Sequence, residues 1–237
     1  MKHQKLLFFF FIAGFIALTN SSCQKNNGGN ANGGGNNLDS VIAKGNGITA
    51  SQVRTPGNFT AVNLTGLGQV NITMGSVLQL TISDDSNLLA LVQTTVNNDT
   101  LSVGYKPNTL INGGNLVVTI VMPALIGTSI SGSGTITETG NFAISGAFGT
   151  SITGSGTINL NGGSADSLIA SIKGSGVIKA EAYPVKNASV TIDGSGEVDV
   201  AASDTLNAAL SGSGTVFYSG NPTIIKKISG SGQVIKN

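Results

Sequence analysis

The stretch "SISGSGTI", Ser129–Ile136, contains a Gly-Ser-Gly tripeptide that decides the fold, because the tripeptide recurs at a nearly fixed spacing. Near copies of the whole stretch are "SITGSGTI" at 151–158 and "SIKGSGVI" at 171–178. The first glycine of the tripeptide stands at Gly132, Gly154, Gly174, Gly194, Gly212 and Gly230, at intervals of 22, 20, 20, 18 and 18 residues. A motif that recurs at such a period is typical of repeat architectures. A degenerate copy, "TGLGQV", occurs much earlier, at 65–70.

The apolar residues of each repeat lie at even distances from the first glycine. Two residues before it stand Ile130, Ile152, Ile172, Ile192, Leu210 and Ile228. Four residues after it stand Ile136, Ile158, Ile178, Val198, Val216 and Val234, and six before it stand Ile126, Phe148, Leu168, Ala188, Leu206 and Ile224. Side chains of a strand alternate between its faces, so even offsets share one face. The position just before the glycine is polar in every copy: Ser131, Thr153, Lys173, Asp193, Ser211 and Ser229.

One such repeat cannot bury its own apolar face, but stacked repeats can. The sequence therefore predicts an all-β fold, a parallel β-helix or solenoid, with aliphatic ladders inside it. The Gly-Ser-Gly corner would need glycine for a positive φ or for close approach of neighbouring backbone. Lys173 and Asp193 hold the same place in successive repeats, as do Lys179 and Asp199, which supports the alignment.

The N-terminus, "MKHQKLLFFFFIAGFIALTNSSC", has the layout of a secretion signal: two lysines, an apolar run over 6–18, then small polar residues. The apolar run is shorter than the roughly 20 residues of a membrane-spanning helix. The only cysteine, Cys23, follows at once, as in lipoprotein signals, in which that cysteine carries the lipid. We therefore predict Cys23 as a lipid attachment site. Ordinary signal cleavage, leaving a free thiol, is the alternative.

The rest of the chain divides by composition. We predict a lipoprotein-type signal peptide at 1–22 and a flexible Gly/Asn tether at 23–42, because "QKNNGGNANGGGNN" holds almost nothing apolar to pack. Alternating segments such as "QVNITM" and "VLQLTIS" then predict a β-rich segment at 43–127 that caps the solenoid. The Gly-Ser-Gly solenoid itself is predicted at 128–237.

Three features together resemble a known bacterial family: "LTGLGQVNI", "TTVNNDTLSV" and the run of "ISGSG" copies. The chain resembles, over 43–237, the family described as "putative auto-transporter adhesin, head GIN domain", which is common in Bacteroidetes. The resemblance implies a right-handed parallel β-helix. It also implies an adhesin-like role, without any catalytic residue to carry over.

Composition excludes several classes of function. Without Lys2 and Lys5 the chain has 10 basic and 11 acidic residues, which is not the basic surface of a nucleic-acid binder. The only histidine, His3, lies in the signal, so Ser-His and Cys-His catalysis and His/Cys metal sites are excluded. The glycines are followed by strand-like residues, whereas phosphate-binding loops lead into a helix. Calcium-binding repeats would need a recurrent aspartate that these copies lack. We predict no cofactor, no metal and no catalytic residue.

One cluster keeps an enzymatic alternative open. "DGSGEVDV" would place Asp193, Glu197 and Asp199 on one outer face, with Lys173 and Lys179 one coil away. Paired carboxylates can act as acid and base on a polysaccharide. A charged ladder on a solvated wall is the interpretation we favour, and a carbohydrate-processing β-helix enzyme is the alternative.

Four Asp-Ser or Asp-Thr pairs followed by an aliphatic residue resemble the acceptor motif of Bacteroidetes O-glycosylation. The hydroxyl residues are Ser40, Thr100, Ser167 and Thr205. The same pairs are common turn formers, which is the alternative explanation.

Taken together, the sequence predicts a non-enzymatic, lipid-anchored protein of the bacterial outer membrane, on its periplasmic or its cell-surface face. We predict an adhesin or an envelope scaffold. Its partners would be the membrane, through the N-terminal lipid, and a glycan or an extracellular or envelope protein, and not nucleic acid. We also predict that it is a monomer, because Lys226, Lys227 and Lys236 would guard the last coil against further strands.

Overall fold

The computed structural model describes residues 41–237, which form strands and one short 3-10 turn, Leu89–Leu91. The strands are β1 (Val41–Lys44), β2 (Thr49–Arg54), β3 (Ala61–Gly66), β4 (Gln69–Met74), β5 (Gln79–Asp85), β6 (Val92–Asn97), β7 (Thr100–Tyr105), β8 (Thr109–Asn112), β9 (Val117–Met122), β10 (Gly127–Gly132), β11 (Thr135–Thr139), β12 (Ala143–Gly154), β13 (Thr157–Leu160), β14 (Ser164–Gly174), β15 (Val177–Gly194), β16 (Glu197–Gly212), β17 (Thr215–Ser219), β18 (Thr223–Gly230) and β19 (Gln233–Lys236). In this part of the chain no helix is long and apolar enough to cross a bilayer.

The strands stack in parallel as a β-solenoid, which confirms the predicted fold class. Wall A, which precedes each Gly-Ser-Gly corner, is formed in order by β7, β3, β10, β12, β14, the second halves of β15 and β16, and β18. Wall B, which follows each corner, is formed by β9, β4, β11, β13, the first residues of β15 and β16, β17 and β19. The predicted alignment is confirmed: Lys173 lies opposite Asp193, and Lys179 lies opposite Asp199.

The degenerate copy "TGLGQV" forms a coil in the same register. Gly66 lies opposite Gly132, and Gln69 lies opposite Thr135. Beyond this coil lie β7 and β9, which come later in the sequence. Antiparallel strands follow: β6 pairs with β7, β5 pairs with β9, and β2 pairs with β5. The parallel stack is therefore finished at this end by strands of the opposite direction.

The core consists of the aliphatic ladders that the even offsets predicted, and most of their members are fully buried. Three predicted members are exposed. Ile126 is 48% exposed because it precedes β10, and Leu125 takes the buried place beside it. Ile224 and Ile228 are each 37% exposed because no further coil covers β18 among residues 41–237. For these three residues the predicted burial was wrong.

The glycine corner satisfies both of the reasons that the sequence suggested. Gly154 has a φ of 124°, and a Cβ on it would lie 2.3 Å from the carbonyl oxygen of Gly132 in the coil before. The second glycine faces inward: a Cβ on Gly176 would lie 2.6 Å from Cγ2 of Ile152. Because both clashes involve atoms of the neighbouring coil, the two glycines set how closely the coils stack, and only the serine between them faces solvent.

Candidate binding surface

The outer face of wall A carries two adjacent rows of mostly small polar side chains, which we call the polar wall, beside a third row that includes the exposed Ile169 and Ile225. Its middle row consists of Ser102, Asn63, Ser129, Ser151, Ser171 and Thr191. The row beside it consists of Thr65, Ser131, Thr153, Lys173, Asp193 and Ser211. Strand geometry places successive members of a row about 4.8 Å apart.

Hydrogen bonds order the first coils of the polar wall. The Ser129 hydroxyl donates to Oδ1 of Asn63 at 2.8 Å, and Nδ2 of Asn63 donates to Oγ of Ser102 at 3.4 Å. In the neighbouring row the Thr65 hydroxyl donates to the carbonyl oxygen of Val103 at 3.2 Å. These side chains offer hydroxyl and amide groups at a regular spacing, which suits hydrogen bonding to a repetitive polar partner.

A row of exposed serines runs along the corner between the walls. It consists of Ser133, Ser155, Ser175, Ser195, Ser213 and Ser231. The first coil departs from the row, since Leu67 holds the serine position there and is 58% exposed. The row therefore ends in a single exposed aliphatic side chain, a departure that sequence reasoning missed although "GLG" beside "GSG" signalled it.

A groove of about 610 Å³ opens beside Leu67, and its lining includes Thr65, Ser102, Lys106 and Leu110. The floor is the polar wall, and the rim is the segment that leads into β8. Two exposed apolar side chains, Leu67 and Leu110, therefore border a polar floor.

Buried carboxylates fix the rim of this groove. The Tyr105 hydroxyl donates to Oδ2 of Asp84 at 2.5 Å, and Oδ1 of Asp84 accepts from the backbone amides of Asp85 and Asn115 at 2.8 and 2.9 Å. Burial, followed by the hydrogen bond to Asp84, raises the pKa of Tyr105 above its ordinary value. Because Asp84 accepts these three hydrogen bonds, it joins β5 to β7 and to the segment before β9.

The predicted acidic cluster is divided by the corner. Asp193 is exposed on wall A, whereas Glu197 and Asp199 lie on wall B. The prediction that the three carboxylates share one outer face was therefore wrong. In addition, Asp199 is only 8% exposed. Burial, then Glu197 and Glu181, raise the pKa of Asp199 to about 6, against the opposing effect of Lys179.

The charges of adjacent coils rarely pair. Within residues 41–237 the one ion pair joins Nζ of Lys186 to Oδ1 of Asp166 at 2.8 Å, so Lys173 and Asp193 are neighbours in register without an ion pair. The same part of the chain holds no group of three or more His, Cys, Asp or Glu side chains that could bind a metal.

Glu138 is a buried charge that sequence reasoning missed. It occupies an inward ladder between Ile72 and Leu160, is fully buried, and neither carboxylate oxygen has a hydrogen-bond partner among residues 41–237. Burial raises the pKa of Glu138 to about 7; the backbone amides of Gly162 and Asn161 oppose the shift as nearby dipoles, without the geometry of a hydrogen bond to the carboxylate. Extending the alignment to six residues after the glycine would have revealed it, because Leu160, Ala180 and Val200 stand there in later coils.

The proposed modification sites have different positions. Cys23 and Ser40 lie outside the described residues. Thr100 is half-buried at the start of β7, and its hydroxyl donates to the carbonyl oxygen of Asn98 at 3.4 Å. Ser167 and Thr205 are also half-buried, and they share one outward row with Asn187 between them. Whether these hydroxyls carry glycans stays a prediction.

Comparison with known proteins agrees with the geometry. The family described as "putative auto-transporter adhesin, head GIN domain" matches residues 58–222, and no curated protein matches. A "putative adhesin" from Bacteroides fragilis is 23% identical with a TM-score of 0.62, covering 82% of this chain and 99% of that one. A "putative lipid binding protein" from Parabacteroides distasonis is 22% identical with a TM-score of 0.56, covering 83% and 99%. A "putative adhesin" from Parabacteroides merdae is 24% identical with a TM-score of 0.52, also covering 83% and 99%. At these identities the similar structures support the fold alone.

Proposed function

Since the chain belongs to the head GIN domain family, we propose that it is a non-enzymatic, lipid-anchored protein of the outer membrane that binds a glycan through its polar wall. The family match supports an adhesin-like cell-envelope protein. The glycan, the lipid and the membrane are the finer parts of the proposal.

The polar wall is the observation that carries the proposal. Its middle row extends over six strands with a hydroxyl or amide on each, and the row beside it is charged only at Lys173 and Asp193. A polysaccharide is itself a repetitive array of hydroxyls, and many weak hydrogen bonds along one chain add up through multivalency. The alternative, a carbohydrate-processing enzyme, has less support, because the corner separates Asp193 from Glu197 and Asp199 and leaves two of the three predicted carboxylates together.

Glycan-array binding with the chain from residue 23 onward tests the wall. The informative variant is Ser151→Arg, which puts a long side chain into the middle row of wall A. Its matched control is Thr157→Arg, an equally half-buried residue of wall B. We expect Ser151→Arg to weaken glycan binding at least tenfold and Thr157→Arg to leave it unchanged. No bound glycan, or equal losses in the two variants, would contradict the proposal.

Membrane fractionation tests the anchor separately. Cys23→Ser removes the thiol that would carry the lipid, so a wash of the membranes with high salt and alkaline carbonate, which strips peripherally bound protein, should release the variant and retain the parent. Ser22→Ala is the control, because it keeps a small residue before the cysteine. A Cys23→Ser protein that stays with the washed membrane as firmly as the parent would refute lipid attachment.

A further inference from the structure

The two-stranded sheet of β1 and β8 turns apolar side chains toward solvent. Ile42 and Leu110 lie opposite each other in this sheet and are 71% and 57% exposed. Leu110 also lines the groove that Leu67 borders from the first coil. Ile42, Leu67 and Leu110 therefore form one exposed surface, which we call the apolar patch.

Packing within the domain does not account for this patch. The other face of the sheet, with Ala43 and Ile111, is the half-buried one. At the position of Leu67 every later coil has serine, so the corner itself does not require an aliphatic side chain. Three large aliphatic residues are thus held in water where small polar ones would serve the fold, and such a patch marks an interaction surface.

The charge beside the patch is positive. Lys44 is exposed and lies two residues after Ile42, on the same face of β1, and Lys106 lines the groove with Leu67 and Leu110. Of the carboxylates at this end of the stack, Asp84 and Asp85 are buried and accept hydrogen bonds from backbone amides, and the exposed Asp99 lies at the other end of β7 from Lys106. An aliphatic surface flanked by lysines matches the boundary between acyl chains and anionic headgroups.

If Cys23 carries a lipid, the length of the chain between Cys23 and β1 keeps this surface within reach of the membrane. The sequence enters the domain through β1, the strand that carries Ile42 and Lys44, and only residues 24–40 separate it from Cys23. A chain of that length reaches at most about 60 Å, and a flexible one averages roughly 23 Å. We propose that the apolar patch, with Lys44 and Lys106, docks on the surface of an anionic bilayer. This inference rests on the proposed lipid anchor only for its location, since the patch itself needs no lipid on Cys23.

Docking would set the orientation of the molecule. The patch lies at the end of the solenoid where β7 and β3 begin wall A, so the later coils of the polar wall would extend away from the bilayer. Contact between the apolar patch and the bilayer at one end would thereby leave the rest of the polar wall free for a partner.

Vesicle flotation of the unlipidated chain tests docking apart from the anchor. The Cys23→Ser chain from residue 23 onward is mixed with vesicles of phosphatidylethanolamine and the anionic lipid phosphatidylglycerol, with the former in excess, at about 0.1 M salt. We expect a vesicle-bound fraction that falls at least threefold when Ile42, Leu67 and Leu110 are changed to serine. The matched control changes Ile169 and Ile225, which are exposed elsewhere, to serine and should bind like the parent.

A fluorescence measurement guards against misfolding of the triple variant. In the same Cys23→Ser background, a solvent-sensitive dye is attached at Leu110→Cys or at Ile225→Cys. Vesicles should shift the emission of the dye at position 110 to the blue and leave that at position 225 unchanged. No vesicle-bound fraction, or equal shifts at the two positions, would overturn docking, whereas failure of the anchor would appear only in the membrane fractionation of Cys23→Ser.

Discussion

The two ends of the solenoid place the same ladder in different surroundings. In the coil that begins with β10, Ile130 is 1% exposed, because β3 and β12 stack on either side of its strand. In the last coil Ile228 holds the equivalent position and is 37% exposed, because β18 has only β16 beside it among residues 41–237. At the opposite end the antiparallel strands β5, β6 and β2 continue the walls beyond the parallel coils.

The difference shows that burial in this fold is a property of the stack. An isoleucine two residues before the glycine faces inward in every coil, but only a neighbouring coil removes it from water. A ladder residue with a coil on each side should therefore contribute more to the free energy of unfolding than a ladder residue of the last coil. This is the behaviour expected of an array of nearest-neighbour interactions.

The largest effect should come from a charge in a ladder with two neighbours. Ile172 is fully buried, so Ile172→Asp places an unpaired carboxylate among aliphatic side chains and should lower the free energy of unfolding by about 4 kcal/mol. Ile228→Asp is its matched control and should cost less than half as much, because the side chain can reach water. Urea unfolding at pH 7 measures both. Equal losses would mean that the last coil is covered.

Glu138→Gln should have a smaller effect and in the opposite direction: at pH 8 it should raise the free energy of unfolding by about 3 kcal/mol. The pKa of Glu138 is about 7 in the folded state against 4.5 for the unconstrained group, so the folded state holds its proton more tightly. The stability due to this proton is fully present below about pH 4.5 and is lost as the pH rises through 7. The glutamine variant cannot lose it, and it should therefore exceed the parent in stability above pH 7.

Urea unfolding of parent and variant between pH 4 and pH 8 measures this difference. The two proteins should be equally stable near pH 4 and diverge as the pH rises. Asp199→Asn serves as the control, because the raised pKa of Asp199 acts in the same direction over a lower range that ends near pH 6. A constant difference between Glu138→Gln and the parent at every pH would show that the pKa of Glu138 is not raised in the folded state.

The sequence was sufficient for the repeated part of the fold and insufficient for its ends. The even offsets from Gly154 predict the ladders because period-two alternation and the fixed step are local properties. The position of β7 outside β3 depends on pairing between distant segments, which no local pattern contains. Ile126 was misplaced because the strand begins one residue later. Glu138 was missed because a charged residue at an inward position does not fit the apolar pattern by which the ladders were recognised.

Arg54, the only arginine of the chain, bridges segments of the antiparallel end. Its guanidinium donates to the carbonyl oxygens of Leu89 and Val92 at 3.3–3.5 Å and to the hydroxyl of Thr94 at 3.3 Å. These bonds join the end of β2 to the turn before β6 and to β6 itself. The end of the stack is therefore held by a side chain as well as by strand pairing.

Arg54→Ala should lower the free energy of unfolding by about 1 kcal/mol, since several half-exposed hydrogen bonds are lost together. Amide exchange should accelerate in β2 and in 89–97, and stay unchanged in β14. Arg54→Lys is the matched variant: it keeps the charge but lacks the planar fork, so an intermediate effect is expected. Faster exchange in β14 as well would indicate that the whole stack, and not its end, depends on this side chain.

The last coil has three lysines that would oppose the pairing of a further strand, and two of them stand at inward ladder positions. Lys226 follows Ala208 in one ladder, and Lys236 follows Tyr218 in another. Lys227 follows Ala209 on the outer face of wall A. Inward-pointing charges on an edge oppose the addition of another strand, because that strand would bury them.

Removing these charges should change association far more than stability. All three lysines are exposed, so changing Lys226, Lys227 and Lys236 to Val, Thr and Val should alter the free energy of unfolding by less than about 0.5 kcal/mol. Without the charges the half-exposed ladder of the last coil becomes a template for another edge, and light scattering should show concentration-dependent larger species. The charge-matched control removes three lysines from the walls, by Lys173→Val, Lys179→Thr and Lys186→Val, and should remain monomeric. If the parent protein is already a stable dimer joined through β18 and β19, or if both variants associate alike, the lysines do not protect this edge, and net charge or another surface controls the association.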